Sequence, residues 1–202
     1  APAERVALSI YDIRVRQGVM YQPHPAFAVD EAGKPRYLNL GREGLKSIFE
    51  LRDFRHTGTR ELVAEDYVFQ IRRLAHPGLH SPILGLMSEY IVGLKELGQQ
   101  LQEAAKKLPA EAYLDLTKFP LEGARTLDRY TYRITIRGKY PQFLYWLAMP
   151  FFAPIPEEAQ RFYSQPGMTD GKILTLDWYP VGTGPYMLSV NNPNRMMVME
   201  RN

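Results

Sequence analysis

The sequence predicts an α+β fold: a small, mostly antiparallel sheet made from hairpins, with helices packed on it. Two stretches alternate apolar and polar residues with the period of a half-buried strand. In one, Tyr11, Ile13 and Val15 alternate with Asp12, Arg14 and Arg16. In the other, Tyr130, Tyr132, Ile134 and Ile136 share one face. Between them, Tyr67, Val68, Ile71, Leu74 and Ala75 fall on one stripe at helical spacing.

Taken in order, residues 6–22 read as a hairpin turning at Gln17-Gly18, with Val19 to Tyr21 beginning the return. Val6, Leu8 and Ile10 lie on the opposite parity, which predicts a bulge or break near Ile10. Residues 22–62 carry Pro23, Pro25 and Pro35 and glycines 33, 41, 44 and 58. They read as irregular, with a short helix from Gly44 to Leu51. So long a segment with little regular structure marks a functional or family-specific insertion. Ala64 to Ala75 reads as a helix with Glu65 and Asp66 at its positive end, stopped by Pro77-Gly78. Ser81-Pro82 has the form of an N-cap followed by proline at the first helical position, opening a helix to about Ile91. Gly93 interrupts it, and a second helix runs from Leu94 to Leu108.

Leu121 to Arg137 reads as a second hairpin turning at Leu127-Asp128-Arg129. Pro141 to Met149 and Pro156 to Tyr163 are short helices opened by proline. The run Val181-Gly182-Thr183-Gly184-Pro185-Tyr186 reads as a tight turn into a strand, because glycine opens positive φ and proline fixes φ near about −65°. Two strands, Met187 to Val190 and Arg195 to Glu200, follow around Asn191-Asn192-Pro193-Asn194. No internal repeat or low-complexity segment is visible.

The 202 residues suffice for one sizeable core or a domain plus part of another, and 45% hydrophobic with 23% charged residues is ordinary for a globular protein. No apolar run approaches the roughly 18–20 residues that span a bilayer. The net charge of +3 is mild, and Arg14, Arg16, Arg72, Arg73, Arg133 and Arg137 are scattered, so no basic stripe points to nucleic acid. With no cysteine, disulfides, thiolate metal sites and a cysteine nucleophile are excluded. The opening Ala1-Pro2-Ala3-Glu4 is what a mature, processed or cut chain is expected to show.

Candidate chemistry is sparse. His76 and His80 are four apart, but Pro77 and Gly78 forbid the helix that would present both to a metal, and the two read as surface loop residues. Glu65 and Asp66 are helix-start charges rather than a catalytic pair, since helical neighbours point about 100° apart. Ser81, Ser88 and Ser164 lack an elbow motif. Gly182-Thr183-Gly184 is neither a Walker loop nor a dinucleotide fingerprint. The aromatic cluster Tyr140, Phe143, Tyr145, Trp146, Phe151 and Phe152 fits a core better than a ligand site. Neither an enzyme nor a metal or cofactor site is expected.

Five segments in one order resemble the extracellular solute-binding proteins of bacterial ABC transporters, family 5, the oligopeptide and dipeptide binders. They are Ile13 to Tyr21; Ala64-Glu65-Asp66-Tyr67-Val68 to Leu74; Leu127-Asp128-Arg129-Tyr130-Thr131; Pro141 to Tyr145 with Pro154-Ile155-Pro156; and Val181 to Tyr186 with Glu200-Arg201-Asn202. The helix-opening threonine of that family is Val63 here, and a lost cap costs about 1 kcal/mol unless Thr59 or a shifted start supplies it.

The resemblance implies a type II periplasmic-binding-protein architecture and a chain that is a fragment of lobe one. Residues 1–178 would be the accessory subdomain and 179–202 strands returning to the main lobe, with edges short of partners. It implies capture of extracytoplasmic peptides or peptide-like solutes for an inner-membrane ABC permease, by an intact protein that is monomeric, periplasmic or otherwise extracytoplasmic, and free of cofactors and nucleic acid. The alternative is the same fold carrying a metal chelate, heme or sugar; an enzyme or nucleic-acid-binding module is the remoter rival. Ligand-proximal residues implied by the resemblance are Ser81, Pro82 and Ile83 in one loop, and Gly182, Thr183, Gly184 and Tyr186 in another.

Overall fold

The structure, a computed structural model, describes residue 2 and residues 5–202. It comprises two compact units, each discontinuous in sequence. The first takes the N-terminal stretch to Gln17 together with Val63–Pro154; the second takes Gly18–Leu62 and Ile155–Asn202. The α+β expectation holds, with antiparallel pairing throughout the named strands.

The first unit is built on a three-stranded sheet of β1 (Leu8–Arg14), β2 (Ala124–Asp128) and β3 (Thr131–Arg137), in the order β1-β3-β2. The hairpin expected at Gln17-Gly18 does not form. β1 instead matches β3 along its whole length, from Leu8 opposite Arg137 to Arg14 opposite Thr131. The side chains explain the choice. Tyr11 faces Ile134 and Ile13 faces Tyr132 on the inner side. On the outer side Asp12 accepts two 2.7 Å hydrogen bonds from Arg133. Gly18 does adopt a turn conformation (φ 77°), yet its N–H donates to the Glu61 carboxylate at 2.6 Å. Val19 to Tyr21 then pair with residues 60–62. The bulge expected near Ile10 is also absent. β1 is unbroken, and Leu8 and Ile10 are simply exposed on the outer face. The sheet's irregularity lies in β2, between Thr126 and Asp128, where the Asp128 carboxylate accepts the Tyr130 N–H of the turn at 2.8 Å.

Helix α2 (Ala64–Arg73) lies against β2 and β3, with the Tyr67 ring stacked on Tyr132 at 5.0 Å. Its capping shows how the chain manages without the family's threonine. The Asp66 carboxylate reaches back to the Val63 N–H at 3.0 Å, and the Ala64 N–H donates to the Arg129 carbonyl of the β2–β3 turn at 2.9 Å. Neither Thr59 nor a shifted start is involved, since the Thr59 hydroxyl donates to the Tyr21 carbonyl. Two helices follow, α3 (Leu84–Tyr90) and α4 (Leu94–Lys107), separated by Gly93 at φ 78°. α4 buries Leu94, Leu97 and Leu101 on one stripe. The link between them is stitched to the sheet. Ile91 bridges to Ile136, the Val92 N–H donates to the Thr135 carbonyl, and the Gly123 N–H donates to the Val92 carbonyl at 2.8 Å. A Cβ on Gly123 would sit 2.3 Å from the Val92 oxygen, so only glycine fits. Helix α5 (Phe143–Leu147) sends Phe143 into the core against Tyr11, and Phe152 is buried beside it. The aromatic cluster is thus core at these two positions, whereas Tyr145 is 76% exposed.

In the second unit, α1 (Gly41–Leu45) is shorter and earlier than the helix expected at 44–51, and Leu51–Asp53 forms a separate 3-10 turn. The Lys172 ammonium donates to the Leu45 and Ile48 carbonyls, covering the end of α1. Helix α6 (Glu157–Tyr163) packs on the short 3-10 turn Pro25–Phe27, and Phe162 meets His24 and Phe54 edge-on or tilted at 5.2 and 5.0 Å. Arg60 ties the layer together. Its guanidinium makes two 2.7 Å bonds to Glu158 and lies over the Tyr21 and Phe27 rings. The final strands, β4 (Tyr186–Asn192) and β5 (Met196–Arg201), pair with each other in a two-stranded sheet, and no further described strand joins its outer edges. Met197 and Met199 remain exposed on that hairpin.

Two stability outcomes follow from these contacts. Gly123→Ala forces Val92 away and is expected to lower stability by about 2–3 kcal/mol, read by urea denaturation. Val63→Thr supplies an acceptor at an extended N-cap position (φ −127°, ψ 166°) and is expected to raise stability by about 1 kcal/mol in the same assay.

Candidate ligand-binding site

The loop Ser81-Pro82-Ile83 belongs to the first unit. Ser81 does not act as the N-cap expected of it. α3 begins at Leu84, whose N–H donates to the Ser81 carbonyl, while the Ser81 hydroxyl is buried without a hydrogen-bond partner. Pro82 is exposed and Ile83 is buried. His80 and Leu84, on either side of the loop, line an open cavity of about 370 Å³, and Ser81, Pro82 and Ile83 do not. His80 is the one described non-glycine residue at positive φ.

The segment Gly182 to Tyr186 belongs to the second unit and is a bent, extended strap rather than the expected tight turn. Neither Gly182 nor Gly184 adopts a positive φ, and a Cβ on either would meet nothing closer than 3.9 Å. The strap is held by pairing. The Gln22 N–H donates to the Gly182 carbonyl at 2.9 Å, and the Gly182 N–H returns a bond to the buried Gln22 side-chain oxygen at 3.1 Å. At its far end Asn202 donates to the Gly184 and Pro185 carbonyls. Thr183 is half-buried, and Gly184 and Tyr186 are exposed.

Neither loop carries a nucleophile–base pair, and among the described residues no group of histidines and carboxylates could hold a metal ion. Glu65 and Asp66 are structural: Glu65 pairs with Arg72 at 2.7 Å and Asp66 caps α2. What these loops offer a ligand is backbone polarity, a threonine hydroxyl and a tyrosine ring, the equipment of reversible binding.

A family model described as bacterial extracellular solute-binding proteins, family 5, middle region, matches residues 41–202. The chain belongs to that family. It is 28% identical over 180 residues to the peptide transport periplasmic protein SapA of Haemophilus influenzae, covering 88% of this chain and 30% of the relative. It is also 28% identical over 142 residues to the periplasmic oligopeptide-binding protein OppA of Salmonella typhimurium, covering 70% of this chain and 22% of the relative. The chain therefore spans less than a third of the length of these relatives. Among solved structures, a periplasmic oligopeptide-binding protein from Borrelia burgdorferi matches 96% of this chain and 27% of its own, at 18% identity and a TM-score of 0.55, which shows a shared fold.

One residue of this family 5 chain was overlooked in the sequence. His24, to which the sequence reading gave no role, is 1% exposed. Its Nδ1 accepts the Ala26 N–H at 3.1 Å, so the proton sits on Nε2 and is donated to the Tyr163 hydroxyl at 2.8 Å; that hydroxyl in turn donates to the Tyr179 carbonyl. The signal was the neighbouring sequence: Pro23-His24-Pro25-Ala26-Phe27 is a proline-flanked apolar run, unlike a solvated loop. Burial pushes the imidazole pKa from 6.5 down to about 3. The unfolded chain binds a proton near pH 6.5 that the folded chain refuses until about pH 3. The stability this contributes is complete above pH 6.5 and is lost as pH falls toward 3, by up to about 1.4 kcal/mol per pH unit. Denaturation midpoints across that window are expected to fall steeply for the wild type. In His24→Gln, a less stable protein, the slope is expected to be shallower.

Proposed function

We propose that this chain is part of the substrate-binding component of an ABC transporter that captures extracytoplasmic peptides or peptide-like solutes and passes them to an inner-membrane permease. The observation that carries the proposal is the family match over residues 41–202. Both curated relatives are named for peptides, which favours a peptide over a metal chelate, heme or sugar as the solute. The matching family is described as solute-binding proteins, which supports a binding role, and in this reading the permease is a separate partner. In this reading the working protein is a monomer. Residues 1–178 serve as an accessory subdomain of one lobe, and 179–202 as strands of its main lobe. Ser81, Pro82 and Ile83 in the first unit, and separately Gly182, Thr183, Gly184 and Tyr186 in the second, are the ligand-proximal residues of this reading, acting through backbone groups and the Thr183 hydroxyl.

The test is a thermal-shift screen of the full-length natural gene product against short peptides, sugars, heme and metal chelates. A peptide at about 100 times its Kd is expected to stabilise the protein by about 2.7 kcal/mol. The other solutes are expected to do nothing. A saturable shift with a sugar or heme and none with any peptide would overturn the proposal. The 202-residue chain by itself, which spans less than a third of its curated relatives, is expected to show no peptide-induced shift.

A further inference from the structure

We propose that Asp170-Gly171, in the turns that follow α6, is a site of self-modification at which the chain converts an aspartyl linkage to an isoaspartyl one. The reaction needs neither solute nor permease. Asp170 is the only aspartate followed by glycine, and no asparagine is. The order matters because the attacking group is the amide nitrogen of the next residue, and glycine carries no Cβ to obstruct it. The structure supplies the rest. The Gly171 N–H makes no hydrogen bond among the described residues, both residues are exposed, and a Cβ on Gly171 would meet nothing within 4 Å. The carboxylates of Asp30, Asp53, Asp66, Asp115 and Asp128 are each tied to backbone N–H groups. Among the described residues no backbone N–H holds Asp170. Its carboxylate is held instead by the Arg42 guanidinium, in a pair with half-exposed side chains. Gly167 (φ 99°) lets the turn settle there, since a Cβ on it would lie 3.1 Å from the Arg42 Cα.

The step balances without a cofactor. The Gly171 nitrogen bonds to the Asp170 Cγ and gives up its proton. That proton and the hydroxyl of the protonated carboxyl leave as water, and a succinimide ring closes. Water then opens the ring. Cleavage between nitrogen and Cγ restores aspartate. Cleavage between nitrogen and the Asp170 backbone carbonyl carbon leaves isoaspartate, with the main chain routed through Cβ and Cγ. One water leaves and one returns, so the mass is unchanged. Arg42 restrains the reaction, because an ionised, paired carboxylate has no hydroxyl to lose. The consequence reaches α1. Lys172, the next residue, donates its ammonium to the Leu45 and Ile48 carbonyls, and a main chain one carbon longer just before it displaces this clamp and draws the carboxylate off Arg42.

The test incubates the 202-residue chain at mildly acidic pH, labels isoaspartate with an isoaspartyl methyltransferase and a radioactive methyl donor, and locates the label by peptide mapping. Label is expected to accumulate at residue 170 and not at the other aspartates. Asp170→Glu keeps a charge for Arg42 but cannot close the same ring, and should take up none. Arg42→Gln should speed accumulation by up to about fivefold, the most that an exposed ion pair withholds. High salt, which screens that pair, should speed it in the unaltered chain. The isoaspartyl form, separated by ion exchange, is expected to melt below the fresh protein. No label at residue 170, equal label at other aspartates, no acceleration by either route, or an unchanged melting midpoint would each refute the proposal.

Discussion

The pairing of β1 with β3 is the constraint on which the rest of the first unit depends. It joins residues 121 apart in sequence, through the Asp12–Arg133 fork on one face and Tyr11 and Ile13 against Ile134 and Tyr132 on the other. With β1 paired to β3 at the edge of the sheet, residues 18–62 do not return alongside it. They leave as the opening part of a second unit and find their own pairings at Met20–Glu61 and His24–Gly58. The inner face of the sheet is then free to receive α2, with Tyr67 on Tyr132 and the β2–β3 turn supplying the carbonyl that meets the Ala64 N–H. Capping, sheet register and helix placement are one arrangement, which is why the absent threonine is tolerated.

Elements whose identity resides in their own side-chain period were legible in the sequence. α2, α4 and β3 show their buried stripes directly, and Gly93 marks the break between helices without help from elsewhere. What was not legible is partnership. Period-2 alternation says that Tyr11 and Ile13 face a core, but it does not say which strand lies alongside, so a local return at Gly18 looked as good as a distant one. The same limit explains the candidate loops. Ser81-Pro82 has the composition of a cap, yet tertiary packing turns the Ser81 hydroxyl inward and starts the helix at Leu84. Gly182 and Gly184 suggested positive φ. The structure instead uses Gly182 for a two-way pairing with Gln22, in which the lack of a side chain is not sterically required.

His24 shows how chemistry follows from such distant pairings. An imidazole titrates in ordinary loops, but here Ala26, Tyr163 and the burial of the site hold it neutral. Its role is to satisfy polar groups inside an aromatic layer formed with Phe27, Phe54 and Phe162.

The pairing of Gly182 with Gln22 spans 160 residues, and this sets an order of events for a chain that emerges from its N-terminus. β1 waits for β3, and Gln22 waits for the strap at 182, so neither unit can close while only its first segment is available. The non-local closures must be made against the loop entropy of everything between them, which slows folding and prolongs the exposure of unpaired strand edges. During synthesis β1 and Gln22 therefore stay without their long-range partners until β3 and the strap at 182 have been made.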